Sequence, residues 1–561
     1  MTTHNNSKLG TTSGVFLPSL LTIVGAIMFL RLGWIIQHGG LMQSIWIVIT
    51  VFAISLITGC CLSSIATDKK IQNDGIYHIL SRSLGLPMGS TICIMMTLAL
   101  IFSAALQIIG ISESLLDISK ASNFLHIAPS AASYRIIGSI LLLPVFALVM
   151  ISRKSTFIQK FKYVVGLTII LATISVIAGL FTKEDIHPLV PSTGTASDGH
   201  SWIYIFSIFF PALSGFATGL ANSTGLKNAK KSIPRGIIFA IITSTVIYLS
   251  VIILLAYEVK PDILKTTNYL PSISWNATIT FICCWISLVF IAINALTIGS
   301  DIILSMARDK VLPEFFAHSS DHSDKPVIHI AIIFVLTECA ILIGDFNTLA
   351  RITSFFLLVS YALINLALML EKWTNPDFRP TFNVSKYIGL IGLFICSIAL
   401  YDINRYGMLG TVIAVILLYF FIRRKKLLLE YDDIWQNVLL AITKTSISRI
   451  NKRKLENRTW QPNIIVFSGD KDQRPYLVDF GKWIAGKHGF VSNFNITTSK
   501  EKKNAYKNSR RDSNVIENKI FPSNDNARDG FSCGELSALR QYPRLCGANR
   551  LVGRASGRAA L

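Results

Sequence analysis

The chain has 561 residues, 51% of them hydrophobic and only 15% charged, with a formal net charge of +21 at pH 7. So apolar a composition excludes an ordinary soluble multidomain protein, and the apolar runs recur almost to position 422. The positive charge does not point to nucleic acid, because the basic residues cluster at the ends of apolar spans and no nucleic-acid motif accompanies them.

The polar start, residues 1–13, is expected to be a cytoplasmic N-terminal tail. It lacks the charged region, short apolar core and cleavage site of a secretory signal, so the first span is expected to stay in the mature protein. That span, Gly14 to His38, is long enough to cross a bilayer yet interrupted near its middle at Gly25. Backbone freed at hydrocarbon depth is tolerated only where it lines a cavity or a ligand, so the interruption is a candidate binding site. Windows of roughly 20 apolar residues predict about twelve spans. They fall near 15–37, 41–66, 88–115, 135–151, 160–181, 202–221, 236–257, 277–304, 327–344, 347–370, 384–401 and 406–422. The sixth, Trp202 to Ala221, is interrupted at Pro211, Gly215 and Gly219. Paired interruptions point to a secondary transporter built from inverted repeats.

With the N-terminus inside, the inner loops carry about 20 Lys and Arg against about 6 outside, which sets a multi-pass orientation with both termini cytoplasmic. Residues 14–422 thus form the transmembrane domain. From Arg423 the texture turns polar and basic. Residues 423–516 are expected to hold a small α/β cytoplasmic domain, with a strand at Asn463 to Ser468 and a helix at Tyr476 to Ala485. Residues 517–561 change abruptly to Arg, Gly and Ala and are read as a disordered or aberrant tail. The expected fold is all-α and polytopic, with the first and sixth helices broken and this small α/β module appended.

At each break one lip offers free amides, which favour anions, and the other free carbonyls, which favour cations. In the first break the amides are those of Gly25, Ala26 and Ile27; the carbonyls of Leu21 to Ile23 and the Thr22 hydroxyl form the cation side. In the second, Gly215, Phe216 and Ala217 supply amides, and the Pro211 carbonyl with the Ser214 hydroxyl face a cation. The competing explanation is that these glycines only permit close helix packing. Charges inside spans are costly and should be paired or wet. Arg31, nearly two turns beyond Gly25, and Glu113, near the outer end of the third span, are expected to meet above the site as an outer gate. Asp301 and Glu338 are left without a role. Nine cysteines without ligand spacing read as packing residues, and neither a metal site nor a cofactor is indicated. With no phosphate loop, metal-spaced His/Cys set or nucleophile elbow, an enzyme is not expected.

With these residues in view, the sequence resembles the cation-chloride cotransporter family of the amino acid-polyamine-organocation superfamily. The match includes GAIMFLRLGWI at Gly25 to Ile35, IGISE at Ile109 to Glu113, FFPALSG at Phe209 to Gly215 and MARDKVLP at Met306 to Pro313. It continues through FFLLVSYALIN at Phe355 to Asn365, NPDFRPTF at Asn375 to Phe382 and WQPNIIVFSGDKDQRP at Trp460 to Pro475. The resemblance implies a twelve-span electroneutral symporter of chloride with potassium or sodium, built on five-plus-five inverted repeats and often dimeric. It places one chloride on the amides of Gly25 to Ile27 and a second on those of Gly215 to Ala217 with Tyr361. Its potassium position falls on Thr22, Ile23, Pro211 and Ser214, with Gln107 where the family carries a tyrosine. The paired serines of sodium-coupled members fall on Phe290 and Ile291, which favours potassium over sodium. Two alternatives stay open: an amino-acid or polyamine permease of the wider superfamily, and a non-transporting membrane regulator.

Overall fold

The computed structural model describes residues 10–68, 75–122, 130–152, 157–183, 201–213, 215–220, 226–313, 327–375, 378–424, 438–446, 463–467, 475–485 and 490–493. The chain divides into two compact units, Met1–Thr445 and Ser446–Leu561. In the first unit a π-helical turn, Thr12–Phe16, leads into α1 (Leu17–Ile23). The chain leaves helix at Val24 and Gly25 and resumes as a second π turn, Ile27–Arg31, continuous with α2 (Leu32–Ala66). Then come α3 (Ile76–Leu84), α4 (Leu86–Ser122), α5 (Ala131–Ser152) and α6 (Phe157–Thr182). Helix α7 (Trp202–Phe209) tightens into 3-10 turns over Phe210–Leu213 and Gly215–Leu220. The unit continues through α8 (Ala229–Glu258), two short helices α9 (Pro261–Leu264) and α10 (Tyr269–Ile273), and α11 (Ala277–Arg308). It ends with α12 (Val327–Ile341), α13 (Phe346–Thr374), α14 (Lys386–Ile403) and α15 (Arg405–Arg424).

Ten helical runs among the described residues are long and apolar enough to cross a bilayer, where the sequence windows predict about twelve. The difference has two causes. The first two windows abut as one run, Thr12–Ala66, in which two helices meet at a kink where Gly40 leaves helical backbone geometry. Gly40 sits at φ 69°, in the left-handed region that glycine adopts without penalty. The window at 327–344 yields a shorter apolar helix, Ile328–Ile341.

Local chemistry sets several helix starts. The side chains of Asn276, Asp345 and Ser385 accept hydrogen bonds from the backbone N–H groups of Ile279, Thr348 and Tyr387, capping α11, α13 and α14. α4 threads the middle of the unit, packing on α11, α13, α12 and α5, while α2 packs on α8. The outer helices present large exposed apolar side chains, among them Leu167, Ile170 and Phe181 on α6 and Leu409, Leu417 and Phe421 on α15. A helix apolar on both its packed and its free face requires a hydrocarbon surround. In the second unit, β1 (Asn463–Val466) pairs in parallel with β2 (Phe490–Asn493), and a helix over Pro475–Ala485 connects them in sequence. Gly481 lets that helix approach the strands: a Cβ there would lie 2.7 Å from Val466 Cγ2.

Candidate functional site

The first interruption has a definite backbone path. Val24 turns out of helix at φ −79°, ψ 79°, and its N–H still reaches Leu20 O at 3.1 Å. Gly25 N–H folds back onto Ile23 O at 3.0 Å, and Ala26 is again helical at φ −52°, ψ −37°. The freed groups acquire side-chain partners. Ala26 N–H donates to Gln107 Oε1 on α4 at 3.2 Å, and the fully buried Tyr248 on α8 donates its hydroxyl to Ile23 O at 3.0 Å. Tyr269 on α10 donates to Met28 O. Thr22 donates its hydroxyl to Pro18 O at 2.7 Å.

The second interruption lies directly against the first. A Cβ on Gly215 would sit 2.9 Å from the Thr22 carbonyl carbon and 3.0 Å from Ile23 N, so only glycine permits this approach of two backbones. Thr218 donates to Gly215 O at 2.7 Å and stands 3.3 Å from the Thr22 hydroxyl. Ser19 donates to Phe216 O at 3.0 Å. A Cβ on Gly219 would come within 2.7 Å of Val15 Cγ1, and one on Gly236 within 2.6 Å of Val15 Cβ. The glycines of this region therefore serve close packing as well as unwinding.

Beside this junction is a cavity of about 60 Å³. One water needs roughly 10–15 Å³ on this measure, so the space suits a few waters or small ions. Its polar wall is Thr22, Ser103, Gly215, Thr218, Ser360 and Tyr361, with Ala217 beside them. Its apolar wall includes Met96 and Leu100 of α4 and Ile291, Ala295 and Ile298 of α11. Of the residues singled out in the sequence, Thr22, Gly215, Ala217, Tyr361 and, on the apolar side, Ile291 line the cavity. Gly25, Ala26, Ile27, Ile23, Gln107, Phe216 and Pro211 do not. Ser214 lies outside the described residues. Tyr361 is buried, its ring 5.4 Å from that of Phe216 and 5.8 Å from that of Phe210. Thr218, Ser360 and Tyr248 escaped the sequence reading, although a tyrosine such as Tyr248 in mid-span signals a need for a buried partner.

Phe290 and Ile291 are 1% and 2% exposed and join Leu21 and Val165 in a separate apolar cluster where α1, α6 and α11 converge. That position holds hydrocarbon, not ligand oxygens. Arg31 Nη2 meets Glu113 Oε2 at 2.6 Å, while Arg31 Nε donates to Asn347 Oδ1 at 3.0 Å and its guanidinium lies 4.4 Å from the Phe346 ring centre. The pair is therefore buried, bonded and stacked.

A second small cavity, lined by Tyr77, Asp301 and Ser305, shares Ile76 and Ile298 with the first. Next to it, Tyr77 donates to Asp309 Oδ2 at 3.0 Å and Arg82 Nη2 lies 3.6 Å from the same oxygen, fastening α3 to the end of α11. Burial pushes the Tyr77 hydroxyl well above its ordinary value, and Asp309 adds to the effect, so it remains the donor. The other span carboxylate, Glu338, accepts from Ser139, tying α12 to α5.

The amino acid permease family model matches residues 14–465. Solute carrier family 12 member 9 of Xenopus laevis is 25% identical over 510 residues, 84% of this chain and 57% of the relative. Solute carrier family 12 member 1 of Mus musculus is 25% identical over 549 residues, covering 87% and 49%. An uncharacterized transporter of Schizosaccharomyces pombe is 24% identical over 505 residues, covering 84% and 48%. The chain thus spans about half the length of the curated relatives it matches.

Proposed function

Because the chain belongs to the amino acid permease family, we propose that it is a secondary symporter of the cell membrane that moves chloride with a monovalent cation by alternating access. The observation that carries this reading is the contact of two interrupted helices, Thr22 against Gly215 and Thr218, over one small cavity. Similarity to solute carrier family 12 members fits the cation-chloride resemblance of the sequence. The matched interruptions support the five-plus-five repeat.

In this reading the amides of Gly215, Phe216 and Ala217, with Tyr361, hold one chloride, and those of Gly25, Ala26 and Ile27 form a second anion position. Thr22, Ile23, Pro211 and Ser214 make up the cation side; Gln107, which the sequence groups with them, has its carbonyl oxygen on the Ala26 N–H instead. Potassium is favoured over sodium because Phe290 and Ile291 bring no oxygen to the convergence of α1, α6 and α11. Arg31 and Glu113 form the outer gate. Along α4 the cavity touches Met96 to Ser103, whereas Glu113 lies ten residues further on, about 15 Å at a helical rise. The closed ion pair at one end and the cavity beside α3 at the other fit a state open toward the cytoplasm.

An amino-acid or polyamine permease is the second reading, favoured by the description of the family model. Among the described residues the cavity lining carries no carboxylate for a polyamine, and its volume suits small ions better than a large amino acid. The test is uptake into proteoliposomes holding the purified full chain, with labelled chloride and, separately, labelled amino acids. Chloride uptake is expected to need potassium and to fall when choline replaces it. Chloride uptake independent of every monovalent cation defeats the symporter reading; amino-acid uptake in its place supports the second reading. No ion movement at all is the signature of a regulator.

A further inference from the structure

The two breaks are not equivalent. Gly215, Ala217 and Thr218 of the second line the cavity, but no residue of the first break between Gly25 and Ile27 does. A side chain sits there instead. Gln107 is 6% exposed and Ala26 1%, and the Gln107 carbonyl oxygen accepts the N–H that the broken helix frees. The position of Gln107 is set by packing. Three residues further along α4, a Cβ on Gly110 would lie 2.8 Å from Leu30 Cδ1 and 3.7 Å from Ala26 Cβ, so α4 and the resumed helix touch at that point. Ile291 closes the remaining side: its Cδ1 lies 2.9 Å from where a Cβ on Gly25 would be, and it also forms part of the cavity wall.

An amide carbonyl is a neutral acceptor occupying a place where a helix N-terminus favours full negative charge. We infer that Gln107 is a specificity-determining residue that caps the first break as an internal ligand, so that an anion, halide or carboxylate, gains the Ala26 N–H only by displacing it. This rests on the reading that the breaks take anions, and deepens it: the second break is the resident anion position, and the first is conditional. The exchange is of one hydrogen bond for another, with Gln107 moving away from Ala26 as the anion arrives. An anion at the first position should therefore compete with Gln107 and depend on movement of the Ile291 side chain.

The test compares wild type with Gln107→Leu, Gln107→Asn and Gln107→Glu in the full chain. Half-saturating concentrations of chloride and of glycine are measured by uptake at saturating potassium. The shift of the denaturation midpoint by each probe is measured against methanesulfonate. Leucine leaves the Ala26 N–H without its acceptor, and half-saturation is expected to fall about tenfold, the order expected for one exposed buried donor. Asparagine, one methylene shorter, should move it in the same direction and serves if the leucine variant does not fold. Glutamate holds a carboxylate on the same amide and should raise half-saturation. Opposed shifts are the signature, because general damage moves both variants alike. Shifts in one direction, or none, overturn the inference. If wild type carries glycine and not chloride, the chloride reading fails while the role of Gln107 is judged by the same opposed shifts in glycine. If neither probe is transported or alters the midpoint in any of the four proteins, both fall.

Discussion

Arg31 and Glu113 show what a buried ion pair demands. With side chains 11% and 9% exposed, neither charge is solvated by bulk water; each depends on the other, and Arg31 also on Asn347 and the Phe346 ring. Removing one partner leaves an unpaired buried charge, which costs about 3–5 kcal/mol, whereas replacing both with apolar groups of similar volume is often neutral or better. Glu113→Met is therefore expected to lower the denaturation midpoint of the detergent-purified protein clearly, and Arg31→Met/Glu113→Met to regain much of that loss. Additive losses in this cycle would mean that the two groups do not act as a pair. The pairing of Arg31 with Glu113 was readable from the sequence because isolated span charges need partners. The involvement of Asn347 was not, since it comes from the first turn of α13, more than 300 residues away.

At the scale of elements, the interrupted helices act together. Gly215 has no room for a methyl group: besides Thr22 Cγ2, the atoms it would meet are the Thr22 carbonyl carbon and Ile23 N, and backbone cannot rotate away as a side chain can. Gly410 on α15 has nothing within 4 Å. Gly215→Ala is accordingly expected to cost about 1–3 kcal/mol of overpacking and to depress uptake strongly, while Gly410→Ala leaves both unchanged. Equal transport by the two variants would show that the contact of α1 with the second 3-10 turn is dispensable. Both breaks are written in the chain as glycine and proline at membrane depth. Which of them faces a cavity is not, because that depends on whether α4 presents Gln107 or empty space.

For the whole molecule, the basic residues at the span ends and the number of crossings decide the orientation together. The ten long runs hold eleven of the predicted spans, since Thr12–Ala66 contains two, and the shorter helix Ile328–Ile341 makes twelve; with that even number both ends of the membrane unit should lie on the same side, and the lysine and arginine excess predicts that this side is the cytoplasm. Alkaline phosphatase fused before Thr12 or after Arg424 should stay inactive, and a fluorescent protein at either place should light up. Opposite behaviour of the two fusions would require an odd number of crossings.

Legible in the chain alone are the class of the protein, the approximate spans, both interruptions and the need for two span charges to meet. These follow from composition and local backbone chemistry: lipid forbids unpaired polar groups, and glycine and proline mark where helices yield. Tertiary structure alone decided which freed groups are already satisfied. Tyr248 takes the Ile23 carbonyl and Gln107 the Ala26 amide, from α8 and α4 respectively, while Thr22, Thr218 and Tyr361 converge on the cavity. A hydrogen bond between residues 81 or more positions apart is set by helix packing in three dimensions, and no local pattern in the chain encodes it.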